Sequence, residues 1–501
     1  TKKVLIMKMK YIFGAALTAM LFTACSEDIM DRINADEAHP GQNINAKLQL
    51  TETEVSTVFS TLCGAYEWYV SSYTEQLFGT GNNQMRMIEK RNIAEVAGSS
   101  TFGNEWDNTY LNLNNLRLMR GKCQPGGVNA GNYNLLGMAQ TLEAINWATL
   151  TDLHGDIPYK ECFVASAPKI DKQKEVYSRV FELLDSAQIN FARGTDDNSS
   201  NDVIYAGKQA KWAALVHALK ARYLLRTYGV NRTTAQLQKV VDEAQAALNA
   251  GFAGCELAVF NGQTADNSWY AYAQSRKYTG CSSTVENLLT ARNDPREPIY
   301  NFNSFGKNVV ANPGDDAMAA QTEVVNWPAY LENGAATLHV LSLSELYFVQ
   351  AEAQARLGQN AQTAFEAGVK ASIKDFYAAG GSVIEANVTD AQIATYIASL
   401  STRYTANPLN EILIQKYIAQ TRDEQLETYN DMRRCRYIDG SYPVAMTNPN
   451  NTLGGANRWP LCLPYGESDV TSNPNVAAAF GSGNEGGMYI FTKKVWWAGG
   501  E

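Results

Sequence analysis

The chain has 501 residues, 45% of them hydrophobic, with 42 Lys and Arg against 51 Asp and Glu, giving a formal charge of −9. That length and apolar content can fill a large core, and they argue against disorder, which needs low hydrophobicity and high net charge. The acidic balance argues against a nucleic-acid partner, and no apolar run reaches the roughly 20 residues of a membrane-spanning helix.

The N-terminus carries an export pattern. Lys2, Lys3, Lys8 and Lys10 are followed by an uncharged apolar core, Tyr11 to Ala24, and then by Cys25. This predicts a signal peptide over residues 1–24 rather than a span. Leu21-Phe22-Thr23-Ala24-Cys25 resembles a bacterial lipobox, which makes Cys25 the candidate lipid-attachment residue. Phe22 stands where such boxes usually carry Leu, and an ordinary signal peptide with an incidental Cys25 is the alternative. Residues 1–24 hold four lysines and no acid, so their removal lowers the charge to −13. The acidic run Ser26-Glu27-Asp28-Ile29-Met30-Asp31 looks like the tether of surface lipoproteins of the Bacteroidetes type. Residues 25–50 therefore read as a lipidated, solvated linker.

From Thr53 onward helical periodicity dominates. Val55, Val58, Phe59, Leu62, Tyr66 and Tyr69 form one stripe, predicting a single amphipathic helix from Thr53. Leu135 to Leu153 predicts a second helix ending at Gly155, and Val176 to Ala187 a third. Two helix pairs come next. In the first, about 208–251, Trp212, Leu215, Leu219 and Tyr223 lead to Gly229, expected as a left-handed cap, and Leu237 to Leu248 lead to Gly251. In the second, about 342–376, Leu346 to Leu357 lead to Gly358 and the chain returns through Ala361 to Ala371. Small residues at packing positions resemble tetratricopeptide units, although a generic helical hairpin has the same spacing. Thr389–Leu400 and Ile412–Met432 read as two more helices. Residues 252–335 and 441–501, rich in Asn, Gly, Ser, Pro and aromatics, are expected to be non-helical; loops this long are usually functional or packed over a scaffold.

Motifs for catalysis and metal binding are weak. The seven cysteines after Cys25 are scattered without CxxC spacing, so they form neither a disulfide framework nor a zinc site; one pair stays open. Four scattered His make no H-E-x-x-H pair, and neither a G-x-S-x-G elbow nor a phosphate-binding P-loop occurs. Gly481-Ser482-Gly483-Asn484-Glu485-Gly486 spells a dinucleotide fingerprint without its strand and helix. Asp196, Asn198, Ser200 and Asp202 have calcium-loop spacing, but Asn201 and Gly207 replace the required Gly and Glu, leaving a polar turn. Asp152, His154 and Asp156 read as a capping turn rather than an acid–base or metal cluster. Arg433 and Arg434 read as cations closing a helix against its dipole. With 51 acids, some carboxylate pair will always suit glycoside hydrolysis, so that signal has no specificity. Neither a metal nor a cofactor is expected.

Taken together, the lipobox, Gly155-Asp156-Ile157-Pro158-Tyr159 after Trp147, Lys211-Trp212, Asp294-Pro295-Arg296, LSELYFVQAEAQARLG, IQKYIAQTRDEQLETYNDMRRCRY, Trp459-Pro460, Tyr465, Glu467, Asn473-Pro474-Asn475 and Trp496-Trp497 resemble the SusD/RagB family of outer-membrane nutrient-binding lipoproteins. They do so in order along nearly the whole mature chain, and the closing Trp pair matches one branch. The resemblance implies a single domain over 51–501. It would be dominated by α-helix, a superhelix of tetratricopeptide-like hairpins with a loop-rich half and few short strands. It also implies a cell-surface protein anchored in the outer membrane, a glycan or oligosaccharide ligand (sometimes a peptide), no catalysis, and delivery to a TonB-dependent, SusC-like transporter. A secreted helical glycoside hydrolase or lyase and a tetratricopeptide adaptor for proteins are the alternatives.

Sugars stack their apolar faces on rings while amides and guanidinium groups satisfy their hydroxyls. The excess of Tyr (26) over Phe (17), with 9 Trp, supplies rings with a polar tip. Loop 261–278, with Trp269, Tyr270, Tyr272, Arg276 and Tyr278, is the first candidate platform. Loop 79–106, with Asn82, Asn83, Arg86 and Trp106, is the second. Packing of these rings onto the scaffold is the competing reading, and family ligand positions vary too much to be carried over.

Overall fold

The computed structural model describes residues 44–81, 84–194, 196–303, 306, 309–385, 387–448 and 458–501. The signal, Cys25 and most of the tether fall outside them, as do Asn82 and Asn83. Among the described residues the fold is helical, with only three two-stranded antiparallel ribbons.

The two helix pairs form as expected. Gln209–Arg226 packs on Thr234–Asn249, and Leu343–Arg356 on Gln362–Gly380. Thr233 and Ser342 open their helices by accepting the backbone N–H groups of Gln236 and Glu345, at 3.2 and 3.0 Å. The pairs stack through Thr234–Asn249 against Leu343–Arg356. Tyr133–His154 and Gln173–Arg193 form a further antiparallel pair that leads into Gln209–Arg226, so the array is longer than the two pairs read from spacing. One cluster of buried hydrophobics takes members from Ala46 to Ala498.

Gly251 and Gly358 end their helices in left-handed conformation (φ +81° and +70°). Gly229 does not. The helix before it closes at Arg226 into a short 3₁₀ turn, and Gly229 is needed for space: a Cβ there would lie 2.5 Å from the Trp497 carbonyl oxygen and 3.0 Å from the Tyr437 ring.

Other expectations change. The helix predicted from Thr53 is three segments: Lys47–Val55, a π-helical stretch Ser56–Leu62, and Ala65–Tyr73. The widened turn coincides with buried hydroxyls. Thr57 donates to the Thr53 carbonyl at 2.7 Å while accepting from Asn146 and Asn112 at 2.8 and 2.9 Å. Ile412–Met432 is also divided, into Pro408–Ala419 and Gln425–Asp439. The intervening turn holds no Gly or Pro and is buried. Asp423 accepts from the His339 backbone N–H at 2.8 Å, and Glu424 accepts from the Ser342 N–H and hydroxyl at 2.8 and 2.7 Å. Burial opposes charge on His339, but Asp423 and Asp375 outweigh it and lift the imidazole to about 9.

Arg433 and Arg434 are interior rather than helix-closing. Arg434, fully buried, forms a bidentate pair with Glu352 at 2.6 and 2.7 Å and a third bond to Asp431 at 2.8 Å. The stretches expected to be non-helical contain short helices, among them Ser268–Arg276, Ser283–Thr290 and Pro474–Phe480. Each spans nine residues or fewer, too short for periodicity to show, and each is opened by a side-chain cap from Asn267, Ser282 or Asn473. All seven described cysteines are free, six of them buried.

Candidate functional site

The first candidate platform is a capped helix and a strand rather than a loop. Asn267 accepts the Tyr270 N–H at 2.8 Å and starts Ser268–Arg276; Lys277, left-handed at φ +53°, ends it. The chain then enters strand Thr279–Cys281, which pairs with Leu77–Gly79 in the register Leu77↔Cys281 and Gly79↔Thr279. The pairing continues one step, with the Thr80 N–H donating to the Tyr278 carbonyl at 2.8 Å. Two candidate regions nearly 200 positions apart in sequence meet at this strand pair.

Across from it, Ala65–Tyr73 presents Trp68, half-buried, with Tyr272 stacked on it (ring centroids 4.2 Å apart, 17° between planes) and Trp269 edge-on at 6.4 Å. The Tyr69 hydroxyl donates to Gln84 at 2.9 Å, and the Arg276 charge acts on both Tyr69 and Tyr272. Tyr270 and Tyr278 are half-buried and Arg276 is exposed. Trp269 is not a free face. It is 3% exposed, and its indole N–H donates to Glu67 at 2.8 Å. Tyr272 is likewise buried under Trp68. These two rings build the platform's support, and Trp68, Tyr270, Tyr278 and Arg276 carry what solvent reaches. Arg86 and Lys90 converge on Asp316, each at 3.0 Å, beside the same strand pair.

Trp106 does not join this patch. It is 1% exposed, its indole N–H donates to Asp469 at 2.9 Å, and its ring packs on Tyr110, His154 and Tyr465. It forms the floor of a separate recess of about 330 Å³ with Asp107, Tyr110, Asn114, Phe163 and Ser468. Residue-type reasoning missed Trp68 and that recess. Trp68 had a signal: it lies off the buried stripe that contains Tyr66 and Tyr69, so its indole sits at the edge of the core and is only half-buried.

The acidic groups are structural. Asp152, expected in a capping turn, is buried and accepts from the Tyr177 hydroxyl and the Trp497 indole N–H, both at 2.7 Å, while pairing with Arg226. His154 meets the Tyr66 hydroxyl at 2.9 Å, and burial drops its imidazole to about 3, so it stays neutral. Of the three, only Asp156 caps a helix, accepting the Gln173 N–H at 3.0 Å. Asp202 holds its polar turn by accepting the N–H groups of Ile204, Tyr205 and Gly207 and the Trp212 indole at 2.8–3.0 Å. Glu67 lies just under the aromatic patch, where burial pushes its carboxyl well up, but its two oxygens accept from the Trp269 indole and the Gln425 backbone. Gly483–Glu485 is a 3₁₀ turn after a short helix, not a strand–helix crossover. Among the described residues no group of three or more His, Cys, Asp or Glu is arranged to hold a metal ion.

Comparison with known proteins bears on the fold and the family. A family model for SusD-like proteins, described as starch-binding and associating with the outer membrane, matches residues 50–452. A SusD/RagB family protein of Bacteroides thetaiotaomicron superposes with a TM-score of 0.82 at 31% identity, over 91% of this chain and 100% of that one. A chitin-binding protein superposes at 0.69 with 21% identity over 91% and 100% of the two chains. A chitin-binding SusD homologue of Flavobacterium johnsoniae gives 0.65 at 18% identity over 90% and 98%; these last two speak for the fold alone. No curated protein matches.

Proposed function

The chain belongs to the SusD-like family of outer-membrane-associated, carbohydrate-binding proteins, which are not enzymes, and from that premise we propose that it captures a glycan or oligosaccharide at the cell surface and hands it to a TonB-dependent, SusC-like transporter. In this reading Cys25 carries the lipid, residues 25–50 are the tether, and 51–501 act as one domain above the membrane. No described helix is long and apolar enough to cross a membrane, which suits attachment through a lipid. The observation that carries the reading is the strand pair Leu77–Gly79 with Thr279–Cys281. It brings Tyr278 and the helix that carries Tyr272 and Arg276 close to Trp68 and Gln84, which would give rings for sugar faces and polar groups for hydroxyls, with Tyr270, Asn82 and Asn83 as further candidates. Starch and chitin are the glycans named for the family and for relatives, so maltoheptaose and chitohexaose are the first probes.

Calorimetric titration of the purified protein should give saturable binding of at least one of them, and chromatography of the same mixture should find no shortened product. Shortening of a bound glycan would overturn the reading, and so would failure to bind across a glycan array. For the anchor and partner, the native protein should co-purify with a TonB-dependent barrel from outer membranes, and Cys25→Ala should release it from the membrane fraction.

A further inference from the structure

A second recess, about 310 Å³, opens where the end of helix Gln425–Asp439 meets the C-terminal turns. None of the residues that line it belongs to the patch around Trp68, although the same helix packs on Ala65–Tyr73. Trp459, 3% exposed, and Arg433 lie deepest; Tyr437, Tyr442 and Phe491 stand around them, and Arg436 and Lys494 are at the exposed rim. Trp459 is fixed by donating its indole N–H to the Tyr73 carbonyl at 2.9 Å and lies 5.6 Å from the Tyr442 ring. The Arg436 guanidinium stands over Tyr442, 4.8 Å from its centroid.

The charge of this recess is one-sided. Among the described residues three cations and no carboxylate line it, in a chain whose formal charge is −9. Elsewhere most buried arginines pair with acids, as in Arg222–Glu345, Arg292–Glu411 and Arg434–Glu352; Arg91, which bonds Ser72 and the Ile88 carbonyl, is an exception. Here, among the described residues, Arg433, Arg436 and Lys494 enter no ion pair. Arg433 spends its donors on the carbonyls of Asp152, Leu461 and Tyr429 and on the Asn430 amide oxygen. The nearby acids are engaged: Asp152 with Arg226, and Asp439 with Arg356 at 2.8 Å. Glu501 shares a narrow neighbouring cleft with Lys494 but lies outside the recess.

Unpaired cations above aromatic walls select a particular chemistry. A compact anion would satisfy Arg436 and Lys494 but leave the rings unused; a neutral sugar would use the rings and leave the cations without partners. A ring that carries an anionic group satisfies both, since guanidinium binds carboxylate or sulfate oxygens through paired N–H donors while the apolar side of a pyranose packs against Phe491 and the edge of Tyr442, Tyr437 being already covered by Arg232 at 4.4 Å. We propose that this recess is a second saccharide site, specific for an acidic sugar: a uronate or a sulfated hexose unit. It rests on the glycan-binding reading above and adds a ligand class to it, so that a glycan held by neutral units at the Trp68 patch gains a separate contact for its charged units.

The test uses the purified protein with trigalacturonate and glucose 6-sulfate as the two anionic probes and maltoheptaose and chitohexaose as neutral ones. At least one anionic probe should bind, and Arg436→Gln with Lys494→Gln should weaken it tenfold or more while the neutral affinity stays within twofold. Both residues are exposed, so the double variant keeps its fold, and an unchanged melting curve checks this. Preference for trigalacturonate assigns a carboxylate, and preference for glucose 6-sulfate a sulfate ester. No binding of either, or equal affinity in the double variant, overturns the proposal; neutral binding that persists then leaves the Trp68 patch standing. Anionic binding without any neutral binding does the reverse.

Discussion

Between helices Gln209–Arg226, Leu343–Arg356 and Gln425–Asp439 the protein buries guanidinium groups against carboxylates; around Ala65–Tyr73 and Ser268–Arg276 it buries rings against rings and leaves others at the surface. Arg222 with Glu345, Arg226 with Asp152 and Glu427, and Arg434 with Glu352 and Asp431 are nearly solvent-free. Such pairs add little net stability over apolar packing, but each demands its partner, so they fix which helix faces which. The aromatic patch makes no such demand. Its half-buried rings and exposed Arg276 have surface to give to another molecule. Fixed charge in the scaffold and neutral rings at the surface divide holding from binding, and variants in the two regions should separate the two properties.

The largest effect is expected inside. Arg434→Ala removes the bidentate partner of Glu352, leaving Arg356 and Lys416 to face Glu352 and Lys416 alone to face Asp431, and should cost about 3 kcal/mol in denaturant unfolding. The fraction that remains folded should bind glycan with wild-type affinity, and a changed affinity would break the division between the regions. Glu54 tests the interior more gently. Burial first, and then the charge of Asp202, push its carboxyl up to about 10, so the folded state holds a proton that the unfolded chain releases in the ordinary carboxylate range. Its stability contribution is complete at low pH and falls as pH rises toward that value. Unfolding free energies of wild type and Glu54→Gln should diverge in favour of the variant by about 1 kcal/mol per pH unit, read between about pH 5 and about pH 8. At the surface, Arg276→Ala and Tyr278→Ala should shift stability by less than about 0.5 kcal/mol for Arg276 and about 1 kcal/mol for Tyr278. Each should weaken glycan binding severalfold in calorimetry. Trp269→Ala is a poor probe of the same site, because removing a buried indole costs about 3–5 kcal/mol on its own.

The two regions were unequally legible. Helices ending at Gly251 and Gly358 could be read because periodicity and a left-handed stop agree. The turn between Ala419 and Gln425 could not, because Arg422, Asp423 and Glu424 look like solvated helix residues until His339 and Ser342 are brought to them from a distant strand. The aromatic residues of the site were recognised by type, but their accessibility was not. Whether Trp269 faces sugar or Glu67 depends on a contact across some 200 residues, and no local pattern encodes it. Arg434 shows the same limit, since a helix-end cation and a buried one have the same sequence signature.

The pairing of Leu77–Gly79 with Thr279–Cys281 has a thermodynamic consequence. Neither segment holds the patch alone, so a ligand seated there recognises the native chain and ignores the unfolded one. By mass action, ligand at a hundred times its dissociation constant then adds about 2.7 kcal/mol to the free energy of unfolding. Occupancy would thus be recorded in the resistance of the whole protein to denaturation, far from the three residues of each strand that make it possible.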